Sequence, residues 1–116
     1  MQEADVVIVA MPQANGVIKD RPAIILREMP PFRDMLVCGV STQLRHAVKD
    51  FDELISPTDP DFVVSGLKAE SLIRLGFLIV IPRQNIVGSI GAISAERHNR
   101  LLLRLSEHLI ARAMES

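Results

Sequence analysis

Short apolar segments rich in β-branched residues alternate with polar, Pro- or Gly-containing segments over the first three quarters of the chain. This pattern predicts strands, because β-branched side chains fit the pleated backbone and Pro, Gly, Asn and Asp interrupt it. The strands are expected at residues 5–10, 23–27, 35–41, 71–81 and 86–90, with shorter candidates at 51–55 and 62–64. Gly76, inside the longest run, favours a bulge or bend. Residues 11–20, between the first two strands, are expected to form an exposed loop.

A helical period replaces this pattern after Ser94, whose hydroxyl suits an N-cap. Apolar residues recur there at every fourth position: Leu101, Leu105, Leu109 and Ala113. Such spacing is typical of an amphipathic helix that packs one apolar stripe on the rest of the domain. Its basic side chains are expected to be exposed to solvent: Arg97, His98, Arg100, Arg104, His108 and Arg112. A phosphate-binding face is the alternative interpretation of these residues.

Several short strands followed by one helix indicate an α+β fold, a small and strongly bent sheet or barrel with a helix packed on it. The connections are too short for parallel crossovers, so the sheet should be mainly antiparallel. A length of 116 residues with no internal repeat predicts a single domain over residues 1–116. Apolar residues make up 48% of the chain and aromatic residues only 3%, which predicts an aliphatic core.

The net charge of −1 gives no overall sign of a nucleic-acid or membrane partner, although it is compatible with a local basic groove. No apolar stretch is long enough to span a membrane and no signal-peptide pattern is present, so a cytoplasmic setting is expected. The single cysteine, Cys38, lies in an apolar run and is expected to be a buried hydrophobe. Zinc-site spacing and the known phosphate-binding motifs are absent, so neither a metal nor a cofactor is expected.

Polar side chains follow or precede several predicted strands. Pro22 restricts Arg21 to an extended conformation, which holds a guanidinium at the mouth of the second strand. Ser41, Thr42 and Gln43 end the third strand. Arginine can bind a phosphate through two hydrogen bonds, and hydroxyls can orient it. On residue type alone, an ordinary surface ion pair of the arginine and backbone hydrogen bonds of the hydroxyls are favoured.

The order of these segments resembles that of the MazF/PemK-type toxins of bacterial type II toxin–antitoxin modules. Members of that family begin with a β-branched strand and continue into an Arg-Pro-aliphatic strand, as in residues 21–26. A strand that ends in a hydroxyl pair follows, as in residues 39–43, and later a Gly-Leu-Lys-x-x-Ser element, as in residues 66–71. A Leu-rich helix ends the domain. The resemblance covers nearly the whole chain.

The resemblance implies an SH3-like barrel with a C-terminal helix, assembled as a homodimer and neutralised by a cognate antitoxin. It also implies a metal-independent endoribonuclease that cuts single-stranded RNA by attack of the substrate's own 2′-hydroxyl. Arg21 matches the family's catalytic arginine, and Ser41 matches a position that usually holds threonine, which Thr42 would restore after a shift of one residue. The other polar side chains are candidate substrate-binding residues: Lys19, Gln43 and His46.

Departures from the family pattern keep other functions open. The segment before Arg21 lacks the acidic residue that many active members carry there, and Gly76-Phe77 stands where many relatives have a polar residue. The low aromatic content also leaves few side chains on which RNA bases could stack. One alternative is therefore a catalytically inactive relative that acts as a protein-binding module, as in a related toxin branch that inhibits DNA gyrase. Another is a purely structural domain, in which Arg21 is tied into a surface salt bridge and no groove joins it to Ser41.

Overall fold

The computed structural model describes the backbone of residues 1–115 and the side chains of residues 1–111. The elements in chain order are β1 (Asp5–Pro12), β2 (Ile18–Met29), β3 (Asp34–Ser41), β4 (Glu53–Ile55), α1 (Phe62–Ser65), β5 (Ser71–Ile81), β6 (Ile86–Ala92) and α2 (Ala95–Glu115). Short 3₁₀ turns occupy Leu44–His46 and Arg83–Asn85. No helix within the described part of the chain is long and apolar enough to cross a lipid bilayer.

The six strands form one sheet in the order β4-β5-β3-β2-β1-β6, and every neighbouring pair is antiparallel. This confirms the predicted α+β class with a mainly antiparallel sheet and a C-terminal amphipathic helix. The strands alternate buried side chains between two aliphatic clusters, one on each face of the sheet. Helix α2 covers the first cluster through Leu101 and Leu105. The second cluster includes Val7, Ala23 and Val37.

Only the middle half of the exposed loop expected at residues 11–20 is a loop, and the rest is strand. β1 continues to Pro12 and β2 already begins at Ile18, so the two strands form a hairpin with only residues 13–17 between them. The tight turn is possible because Gly16 adopts a φ of 84° and the side chain of Asn15 accepts a hydrogen bond from the Val17 N–H. The prediction was wrong because polar residues can occupy a strand that projects beyond the core.

The short strand expected at residues 62–64 is instead the single helical turn α1. Phe62 is buried while Val63 and Val64 are exposed, so the apolar triplet does not alternate as a strand requires. Gly66 ends the turn in the left-handed conformation, with a φ of 77°. A Cβ added to Gly66 would lie 2.1 Å from the Ile90 carbonyl oxygen, so this turn packs tightly against β6.

Cys38 lies on β3 within the first cluster and is fully buried, as predicted. Burial raises the pKa of its thiol to about 12, because the thiolate would lose its hydration. We expect the native protein to resist alkylation by iodoacetamide at neutral pH, since the thiolate is the reactive form. The protein unfolded in urea should be alkylated readily, which mass spectrometry can measure. Rapid labelling of the native protein would contradict the buried position.

One part of the basic face of α2 is not the solvated surface that the sequence predicted, and the side chain of Arg112 on that face lies outside the described residues. Arg97 is only 5% exposed and forms a buried ion-pair network. Its Nε donates to Asp61 Oδ2 at 2.8 Å, and its Nη1 donates to Glu53 Oε1 at 2.9 Å. Its Nη2 donates to Asp59 Oδ2 at 3.1 Å. The network therefore fastens the start of α2 to β4 and to the segment before α1.

Other basic residues of α2 also have defined contacts. Arg100 donates from Nε to Glu53 Oε2 at 3.1 Å. His98, expected to be exposed, is buried, and its Nε2 donates to the Leu26 carbonyl oxygen at 2.8 Å. His108 is exposed as expected, with its ring centroid 4.7 Å from that of Phe51. Arg97 and His98 could not be assigned from the period of the helix, since their partners come from other elements.

The buried carboxylate of Asp61 predicts a dependence of stability on pH. Burial raises its pKa, but hydrogen bonds from Arg97 and from the Ser94 N–H, with the charge of Arg97, outweigh that effect and hold the pKa below its ordinary value of 3.8. A lowered pKa in the folded state stabilises the fold above the unfolded-state pKa, and this contribution is lost as the pH falls through the folded-state value. We therefore expect the free energy of unfolding to fall below about pH 4. Urea denaturation should show a shallower acid dependence in Asp61→Asn, and an identical dependence would contradict this assignment.

Candidate functional site

An open cavity of about 340 Å³ lies on the sheet where β2 and β3 meet the β1–β2 turn. Nearly all of the site residues predicted from the sequence line it: Arg21, Ser41, Thr42, Gln43 and His46. Lys19 does not line it; this residue pairs with Met11 in the projecting hairpin. The cavity therefore brings together Arg21 from within β2, Ser41 from the end of β3, and a residue of the following 3₁₀ turn. Arg21 was expected at the mouth of its strand, but β2 begins three residues earlier because it continues the hairpin with β1.

The register of β2 and β3 explains why Arg21 and Ser41 meet. The pairing of these strands ends at Ala23 and Gly39, and each polar residue lies two positions beyond that pair. Because side chains alternate along a strand, Arg21 extends from the same face as Ala23, and Ser41 from the same face as Gly39. The two strands separate beyond the last pair, which leaves the space of the cavity between them.

The third strand of the site, β5, contributes residues that the sequence interpretation missed. Arg74 pairs with Gly39, so its half-buried side chain adds a second guanidinium to the cavity lining. Phe77, 39% exposed, lines it as well. One signal was available in the sequence, since Arg74 is the single charged residue within the apolar run 71–81. Its position in the site, however, depends on the pairing of β5 with β3.

Arg21 has few contacts that would restrain its head group. Its Nη2 donates to the Gln13 side-chain oxygen at 3.3 Å, and within the described residues it forms no ion pair with a carboxylate. This contradicts the purely structural alternative, which required a surface salt bridge and no groove towards Ser41. The exposed guanidinium therefore remains available to an anionic ligand.

The hydroxyl side of the cavity is formed by a local turn. Ser41 Oγ accepts a hydrogen bond from the Gln43 N–H at 3.0 Å, which leaves its own O–H free to donate. The Gln43 side-chain oxygen accepts from Arg45. No carboxylate of the described residues belongs to the cavity lining, whereas Arg21 and Arg74 do. The site is therefore locally positive in a chain whose net charge is −1.

The arrangement suits a phosphate bound by guanidinium groups and hydroxyls. Two arginines can supply positive charge and paired donors, and the O–H groups can donate to the remaining phosphate oxygens. Among residues 1–111, no group of three side chains with metal-binding atoms comes together. The cavity is also open to solvent, so a ligand larger than its volume can extend beyond it.

Comparison with protein families identifies the family of this chain. The family model described as PemK-like, MazF-like toxin of type II toxin–antitoxin system matches residues 2–109. The chain belongs to this toxin family. The match includes every cavity-lining residue discussed above, and it confirms the resemblance found in the sequence.

A solved structure shares the fold. The Mycobacterium tuberculosis toxin MazF-mt6 superposes with a TM-score of 0.65 and 21% sequence identity, over 89% of this chain and 93% of that chain. At this identity the likeness establishes a shared fold, which places the six-stranded sheet and C-terminal helix among the structures of MazF toxins. A search of curated proteins found no match.

Proposed function

We propose that this chain is the endoribonuclease toxin of a type II toxin–antitoxin module and cleaves single-stranded RNA in the cytoplasm without a metal ion. The observation that carries the proposal is the shared cavity of Arg21, Ser41 and Thr42. Family membership supports the toxin assignment, and the positive cavity lining supports a polyanionic substrate. The inactive protein-binding alternative is not favoured, because it gives no reason for exposed arginines and hydroxyls to share one open cavity.

The proposed reaction uses the 2′-hydroxyl of the RNA as the nucleophile. Its oxygen bonds to the adjacent phosphorus while the bond from phosphorus to the 5′-oxygen breaks. The products are a 2′,3′-cyclic phosphate and a 5′-hydroxyl, with the proton of the 2′-hydroxyl passing to water and the leaving oxygen taking one from solvent. Arg21 stabilises the negative charge that develops on the phosphorane oxygens, and the hydroxyl of Ser41 or Thr42 donates to one of them.

The remaining predicted residues are proposed to bind the substrate. Gln43 and His46 line the same cavity and can hydrogen-bond to a base edge or a sugar. Lys19 lies outside the lining but on the same hairpin, where its ammonium group can contact a phosphate further along the strand. A homodimer and a cognate antitoxin are also proposed. The exposed apolar side chains of Leu78 and Val80 on β5 are compatible with a protein interface.

The direct test is incubation of the purified protein with a long single-stranded RNA in the presence of EDTA. We expect fragments whose 5′-hydroxyl ends can be phosphorylated by a kinase without prior dephosphorylation, and whose 3′ ends carry cyclic phosphate. Double-stranded RNA of the same sequence should remain intact, because its bases are paired and its strands cannot enter the cavity singly. Single-stranded DNA should remain intact because it lacks the 2′-hydroxyl nucleophile. Intact RNA after incubation with folded protein would overturn the endoribonuclease proposal.

A further inference from the structure

A bulge in β5 gives Phe77 its position in the cavity. Gly39 pairs with Arg74, but the preceding residue of β3, Cys38, pairs with Leu78. Residues 75–77 therefore have no partner on β3. The backbone N–H of Leu75, at the start of this bulge, donates to Asp52 Oδ1 at 3.0 Å. The bulge is thus a fixed feature of the fold, in which a side chain holds the freed backbone donor.

Gly39 lies directly against the ring of Phe77. A Cβ added to Gly39 would be 3.1 Å from Phe77 Cδ1 and 3.4 Å from Cγ, which is closer than ordinary van der Waals contact. The missing side chain at Gly39 therefore lets the ring lie close to β3. Phe77 remains 39% exposed and lines the same cavity as Arg21 and Arg74. An aromatic ring is thus partly exposed in a cavity whose charged side chains are both arginines.

An exposed ring and cationic side chains in one cavity are a combination that can bind unpaired nucleotides. Bases of single-stranded nucleic acids stack on aromatic side chains, and arginines contact the phosphates between them.

We propose that Phe77 is the stacking surface for one unpaired base of the substrate and that Arg74 contacts the phosphate next to that base. This proposal rests on the proposed function, because it assigns substrate contacts within the same cavity. Phe77 and Arg74 are binding residues here, while the charge of the reacting phosphate is stabilised by Arg21. Phe77 thereby selects where along the RNA the strand is held.

A spectroscopic test is available because the chain contains no tryptophan. Phe77→Trp would create a single indole in the cavity, and Phe32→Trp would create one on the exposed β2–β3 turn, where Phe32 is 82% exposed. A short mixed-sequence 2′-deoxy oligonucleotide, which cannot be cleaved by 2′-hydroxyl attack, is the probe. We expect it to quench the fluorescence of Phe77→Trp and not that of Phe32→Trp. Equal quenching, or none, would overturn the stacking assignment.

A binding test separates the contribution of the base contact to affinity from that of the phosphate contact. The affinity of the same probe, measured by anisotropy, should fall roughly tenfold in Phe77→Leu and be retained in Phe77→Tyr. A probe of equal length with abasic sites should bind wild type and Phe77→Leu equally. Arg74→Gln should weaken both probes and lower the slope of log affinity against log salt by about 0.7, as expected for one lost phosphate contact on a single strand. Arg33→Gln, on the β2–β3 turn, is the matched control.

The outcomes distinguish this inference from the proposed function. If wild type cleaves RNA but Phe77→Leu binds the base-bearing probe as tightly as wild type does, the inference fails and the endoribonuclease proposal stands. If Phe77→Leu weakens binding of the base-bearing probe but the wild-type protein cleaves no RNA, the binding assignment stands and the endoribonuclease proposal fails. Wild-type protein that binds neither probe nor RNA would overturn both. Circular dichroism of each variant shows whether the fold is retained.

Discussion

Arg21→Ala is expected to reduce the rate of RNA cleavage by roughly a hundredfold or more, the usual effect of removing a donor that stabilises transition-state charge. Its guanidinium has one side-chain hydrogen bond, to Gln13, so stability should change little. The cleavage rate of Arg21→Lys should lie between those of wild type and Arg21→Ala, because an ammonium group retains the charge but loses the paired donors. Single-turnover cleavage of a long single-stranded RNA in EDTA measures the chemical step.

The matched control for this substitution is Arg33→Ala. Arg33 is also an exposed arginine, with 69% of its side chain accessible, but it lies on the β2–β3 turn and pairs with Glu28. The same charge is removed in both variants, so a general loss of RNA attraction would affect them alike. If Arg21→Ala cleaves RNA as fast as Arg33→Ala does, Arg21 has no part in the reaction.

Arg97→Met is expected to lower the free energy of unfolding by about 3–5 kcal/mol, the typical cost of leaving a buried charge without its partner. The substitution keeps most of the side-chain volume but removes the donors to Asp61, Glu53 and Asp59. Asp61 and Glu53 are themselves buried, so their carboxylates would lose both charge compensation and hydrogen bonds. Urea denaturation at neutral pH measures the loss.

Arg100→Met is the control for the ion-pair network. Arg100 contacts the same Glu53 carboxylate, but 42% of its side chain is exposed, so water compensates for much of the lost interaction. We expect a cost of about 1 kcal/mol or less. A double variant, Asp61→Asn with Arg97→Met, should be more stable than the sum of the single effects predicts, because the two residues act together. Similar losses in Arg97→Met and Arg100→Met would contradict a special role for the buried arginine.

The central strands of the fold could be read from the sequence. β5 was predicted with its observed bounds, since a long and mainly apolar run precedes Pro82, and the bulge expected at Gly76 is present. The burial of Arg97, by contrast, could not be predicted from the sequence pattern. The helical period alone places it with the solvent-facing arginines, and its acidic partners come from residues 53–61. Long-range pairing of charges has no local signature in a single sequence.

Only the part of the candidate site that β2 and β3 contribute could be predicted from the sequence. Arg21 and Ser41 stand where the sequence changes between polar and apolar residues, and the family resemblance supplied a chemistry for them, although β2 begins at Ile18 and so contains Arg21. Arg74 and Phe77 lie inside a strand, and they reach the cavity only through the pairing with β3 and the bulge. In the sequence alone, such residues cannot be told from other members of a strand face. They could therefore be assigned to the cavity only once the register of the sheet was known.

The buried network around Arg97 and the open cavity lie on different faces of the same sheet. Arg97 anchors the helix over one aliphatic cluster, while the cavity lies on the face that carries Ala23 and Met11. Side chains at the cavity rim such as Arg21 and Thr42 lie outside both aliphatic clusters. On the proposed function, substitution of a few of these residues would change which RNA is bound while the scaffold remains intact, which would give this small fold a route to new targets.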